Sequence, residues 1–83
     1  MTLTNKIFGI QKEIVNILPF GWSPVDSGMM LGQQDVIWRD MTCESTDGKE
    51  FIISYSTDGE LKHEDVPTHI LQKILEVLTP YKK

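Results

Sequence analysis

Residues 36–64 read VIWRDMTCESTDGKEFIISYSTDGELKHE, and the way this stretch pairs with itself decides the fold. It holds one turn twice, Ser45-Thr46-Asp47-Gly48 and Ser56-Thr57-Asp58-Gly59, eleven residues apart. Asp-Gly between β-rich apolar runs signals a hairpin but leaves the loop length open. With a two-residue loop, Asp47-Gly48, the residues Phe51, Ile53 and Tyr55 share a face with Glu44, Thr42 and Asp40, which buries carboxylates. With a three-residue loop, Thr46-Asp47-Gly48, and Gly48 left-handed in a bulge, Cys43 faces Phe51, Met41 faces Ile53 and Arg39 faces Tyr55, with Ile37 further along. A one-residue slip turns every side chain over, so the apolar pattern selects the second register. Its cost is Glu44 opposite Glu50, a like pair that Lys49 offsets in part. The same loop at Thr57-Asp58-Gly59 sets Leu61 beside Tyr55 and His63 beside Ile53. The stretch therefore predicts a three-stranded antiparallel meander, one face apolar and one wet, closed by a short polar edge strand.

Helices are expected on both sides of this block. From residue 3 to 18, Leu3, Ile7, Ile10, Ile14 and Ile17 recur at steps of four and three, widened by Phe8, Val15 and Leu18. Thr2 or Thr4 is placed to cap the start, and Pro19 disfavours α geometry at Leu18. Gly9 weakens this helix unless packing wants a small residue there. The stripe is expected to pack on the sheet, with a dimer seam as the sharper alternative. Beyond the meander, Asp65 or Val66 reads as a cap and Pro67 as part of the first helical turn. Ile70, Leu71, Ile74, Leu75, Val77 and Leu78 make the buried stripe. Thr79-Pro80 ends the helix, and Tyr81-Lys82-Lys83 reads as a frayed tail. The fold class is α+β: α-β-β-β-α, with both helices packed on one face of the meander. The 83 residues form one small domain, 1–83.

Residues 19–35 fit this plan least well. Two prolines and three glycines rule out a helix, and either Val25 or Met29 to Leu31 is the place for a short edge strand. Phe20, Trp22, Met29 and Met30 are costly to expose. On one reading the aromatics cover an end of the core and the methionines fill gaps. On the other, Phe20, Trp22, Met29 and Met30, joined by Trp38 from the outer sheet face, form a contact patch for a partner. Trp and Met are enriched at interface cores, and Trp among the residues that dominate binding.

Composition narrows the function classes. Hydrophobic residues at 40% and charged residues at 24% are a globular balance, not that of a disordered chain. A net charge of −4 argues against nonspecific binding to nucleic acid or acidic membranes. One cysteine excludes an intrachain disulfide and a thiolate zinc cluster. No signal peptide or membrane-spanning run is read, so a cytoplasmic, reducing compartment is expected, in a bacterial cell or by delivery from a phage. Cys43 falls on the core face, where a thiol is an inert small hydrophobe, and His63 and His69 are the only histidines. His63-Glu64-Asp65 with His69 matches no recurring metal-site spacing. No catalytic residue, metal site or cofactor is therefore assigned.

The α-β-β-β-α order and the length resemble the double-stranded-RNA-binding domain. That family implies a basic cluster at the start of the last helix to grip phosphates, whereas this chain has Glu64-Asp65-Val66-Pro67-Thr68 there. The run from Asp35-Val36-Ile37 to Glu44-Ser45-Thr46-Asp47 is also similar to a segment of a small phage inhibitor of uracil-DNA glycosylase. That family is more acidic and ends in strands, and none of its residues are carried over. The expected function is that of a small non-enzymatic protein-binding module, a regulator or inhibitor that occludes a larger partner. Nucleic-acid binding or a non-catalytic role in a larger assembly is the alternative. An exposed sheet edge also leaves room for a homodimer.

Overall fold

The computed structural model describes residues 2–31 and 35–82, except the side chains of residues 29–31. Helix α1 spans Leu3–Ile17, strands β1 to β4 span Trp22–Leu31, Ile37–Ser45, Glu50–Ser56 and Leu61–Glu64, and helix α2 spans Thr68–Leu78. A single 3₁₀ turn, Thr79–Tyr81, follows. The sheet is antiparallel throughout, in the order β1-β2-β3-β4. The class is α+β, as expected, but the sheet has four strands where three were expected.

The extra strand is β1, ten residues from the stretch that resisted assignment. Its Pro24 and Gly28 disfavour a helix, yet both are tolerated on a sheet edge. Pro24 lies on the outermost strand, and the register slips between Pro24 and Asp26 in a bulge that takes up Val25. The fourth strand breaks the α-β-β-β-α order, and with it the topological likeness to the double-stranded-RNA-binding domain.

The central hairpins pair as the apolar pattern requires. Cys43 pairs with Phe51, Met41 with Ile53 and Arg39 with Tyr55, then Tyr55 with Leu61 and Ile53 with His63. Both turns are three-residue loops, with Gly48 at φ 89° and Gly59 at φ 80°. Glu44 does stand opposite Glu50. The core joins Ile37, Met41, Cys43, Phe51, Ile53 and Tyr55 of the sheet to Ile7, Ile10 and Ile14 of α1 and Ile70, Ile74 and Leu78 of α2. Both helices thus bury their stripes against the same sheet face.

Helix α1 is capped as expected: the Thr2 hydroxyl accepts from the Asn5 amide at 3.1 Å. Gly9 is exposed, and an added methyl there meets nothing within 4 Å, so packing does not call for it. Helix α2 differs at three points. Pro67 precedes the helix and serves as its cap residue, with no side-chain bond. Asp65 is not a cap; it takes a left-handed conformation, φ 59°, that turns the chain into the helix. Leu75 is 39% exposed, because the buried stripe is the narrower Ile70–Ile74–Leu78 row.

The tail turns back onto the core at Tyr81, where fraying was expected. Tyr81 packs on the core, and its hydroxyl donates to Glu13 at 2.8 Å. That bond, with some burial, holds the phenol above its ordinary pKa. The second turn makes this docking possible. Thr57 is buried and exchanges hydrogen bonds with Ile37, its amide donating to the Ile37 carbonyl and its hydroxyl accepting from the Ile37 amide. Gly59 lies against the backbone of Leu78 and Lys82.

Candidate functional site

Residues paired across antiparallel strands share a face, so the register sorts every strand side chain. The helices cover the face of Ile37, Met41, Cys43, Phe51, Ile53 and Tyr55. The opposite face carries Trp38, Asp40, Thr42 and Glu44 from β2 and Glu50, Ile52 and Ser54 from β3. Ser23, Asp26 and Gly28 join it from β1, and Lys62 and Glu64 from β4. The buried stripes of both helices lie on the other side, and α2 comes near this face only at the Trp38 end, through Leu75.

Its centre is Ile52, 44% exposed and flanked by Thr42 and Glu64. An isoleucine favours a strand, but nothing on this face hides its side chain. Two shallow grooves meet at it. One, of about 260 Å³, is lined by Asp26, Ser27, Gly28, Asp40, Thr42 and Ile52. The other, of about 300 Å³, runs along Ile52, Ser54, Lys62 and Glu64 toward the β4 edge. Ser54 donates to Asp40 Oδ1 at 2.7 Å and so orients that carboxylate. At the far end, the Lys62 ammonium sits 5.0 Å from the centre of the Trp38 ring, a cation–π contact that leaves the indole half-buried. A third groove, of about 330 Å³, continues from Trp38 to Leu61, Leu75 and Lys82.

The residues anticipated as a contact patch lie at two ends of the molecule. Phe20 is fully exposed in the turn before β1. Trp22 is half-buried and packs on the core, its ring 5.1 Å from that of Phe51 at an interplanar angle of 41°. Trp38 belongs to the open face, seven residues further along the ladder, a span of about 23 Å at strand rise. Met30 pairs with Trp38 and Met29 with Arg39 along the backbone. The side chains of Met29 and Met30 lie outside the described residues. The register read from the sequence already turns Asp40, and by alternation Ile52, to the outer face, but neither was singled out as a contact residue, because nothing local shows that this face stays uncovered.

Among the described residues, no group of three or more His, Cys, Asp or Glu side chains is placed to hold a metal ion. His63 and His69 are both exposed. Cys43 is fully buried, and burial pushes its thiol up to about 11. The protonated thiol is thus favoured in the fold, with that advantage complete below the ordinary value of 9.0 and lost as pH rises through about 11. Cys43 is expected to stay inert to a chromogenic disulfide reagent at neutral pH and to react fully once the chain is denatured. Rapid labelling of the folded protein would show that the thiol is open to solvent. Burial also raises the Tyr55 phenol, against the pull of the neighbouring Arg39 guanidinium. Arg39 donates to Ser27 at 2.9 Å and lies 4.8 Å from the centre of the Phe8 ring, while its Nε and the Tyr55 hydroxyl have no hydrogen-bond partner among the described residues. No helix is long and apolar enough to cross a membrane among the described residues.

No family model, curated protein or solved structure matches the chain.

Proposed function

We propose that the chain is a small protein-binding module, a non-enzymatic regulator or inhibitor that occludes a larger partner with its uncovered sheet face. The observation that carries this reading is Ile52, an exposed aliphatic side chain at the centre of that face with a groove on either side. A central apolar residue within a polar rim is the anatomy of a protein interface. Trp38 extends the apolar surface at one end, and its stacked lysine shields it until a partner displaces the ammonium. A nucleic-acid partner draws no support from this face, where carboxylates would meet phosphates.

The test is site-directed photo-crosslinking in the source cell. A photoreactive residue at Ile52 is expected to give one discrete adduct, and the same residue at the exposed Gln72 on α2 none. Ile52→Thr keeps the β-branch and is expected to weaken binding to the captured protein at least about tenfold while stability changes by under about 1 kcal/mol. Equal adducts from both positions, or unchanged binding by Ile52→Thr, would remove the reading.

A further inference from the structure

The open face carries five carboxylates, Asp26, Asp40, Glu44, Glu50 and Glu64, against one cation, Lys62. The remaining seven acidic and seven basic residues cancel, so this face accounts for the entire net charge of −4. Among the described residues no Lys or Arg forms an ion pair with any of the five. A face that is both apolar at its centre and predominantly acidic around it complements a basic surface and repels a second copy of itself.

Gly28 sharpens the match. It occupies a strand interior opposite Asp40, where glycine weakens pairing and offers no side chain to pack. Neither usual reason for glycine applies: its backbone is not left-handed, and a methyl built on it meets nothing within 4 Å. Unlike the solvated Gly9, it lines a groove with Asp26 and Asp40 on its walls and Ile52 at one end. The missing side chain is what keeps the groove open. One oxygen of Asp40 is held by Ser54, and Oδ2 has no partner among the described residues.

We propose that this groove receives an arginine side chain from a basic segment of the partner protein, its methylene stem lying along Ile52 and its guanidinium between Asp26 and Asp40. This rests on the protein-binding reading above and names the partner's chemistry. A guanidinium presents a planar fork of donors to carboxylates and is more weakly hydrated than an ammonium, which suits a shallow, half-apolar site.

The probe is a synthetic peptide alternating arginine and leucine, with a twin carrying glutamate for arginine, titrated into the isotope-labelled full chain. Amide shifts are expected at Asp26–Gly28, Asp40–Thr42 and Ile52 with the arginine peptide and none with its twin. Raising salt from about 50 to about 300 mM is expected to weaken binding roughly tenfold. Gly28→Val fills the groove, so it is expected to fold at least as stably as wild type while affinity drops at least about tenfold. Asp40→Asn, a milder change, is expected to lose about fivefold or more. Wild-type affinity in both variants, shifts mapping to the helices, or self-association through this face would overturn the proposal. A discrete Ile52 adduct with no arginine-peptide binding would defeat this inference alone. Peptide binding with no adduct would defeat the protein-module reading and leave a cation groove.

Discussion

Gly59→Ala is expected to destabilise the protein by about 3–5 kcal/mol, whereas the same change at Gly48, in an identical turn sequence, costs only about 1–2 kcal/mol. Both glycines have positive φ, 80° and 89°, so an alanine side chain strains the backbone at either site. The difference is what the methyl meets. At Gly48 it meets nothing within 4 Å, while at Gly59 it would lie 2.7 Å from the Leu78 carbonyl oxygen and 2.8 Å from the Lys82 amide nitrogen. Both obstacles are backbone, so relief requires the end of α2 and the 3₁₀ turn to move off the sheet. That movement pulls Tyr81 from the core and breaks its bond to Glu13. Urea unfolding of the two variants side by side is the check, since each controls for the other's backbone strain. Equal losses would mean that the C-terminal turn is not packed against the second loop.

Phe51→Ala is expected to cost about 3–5 kcal/mol, a large share of the roughly 4–12 kcal/mol available to a chain of this length. Phe51 is 1% exposed, lies opposite Cys43 and stacks on Trp22. Its removal leaves a cavity beneath an indole that is itself only half-buried, so Trp22 loses its main support. Tryptophan emission is then expected to shift to longer wavelength in the native baseline, a readout that Gly59→Ala does not share. A loss below about 1 kcal/mol would show that the aromatic pair is peripheral, and would return Trp22 to the set of available contact residues.

The two turns show how far reading along the chain reaches. Asp-Gly and the alternation of apolar residues settled loop length, register and the buried face of β2 and β3, because a one-residue slip would have buried Asp40 and Glu44 beside Tyr55 and Phe51 in place of Arg39 and Cys43. Nothing local distinguishes Gly48 from Gly59: each follows Ser-Thr-Asp, and only the return of α2 makes one irreplaceable. The same holds at the edges. Pro24 and Gly28 are breakers by local preference, and only pairing with β2 turned residues 22–31 into a strand.

The functional surface follows the same division. Net charge, the lone cysteine and the apolar stripes were properties of the sequence by itself, as was the α+β class, since each depends on composition or on neighbours within a few positions. Tertiary structure alone decided that Trp22 and Trp38 lie at opposite ends of the sheet. It alone decided that the excess carboxylates gather on one face, and that Ile52 stands uncovered among them. Those facts depend on which strands lie side by side, and strand pairing brings together residues too distant in sequence for any local pattern to relate.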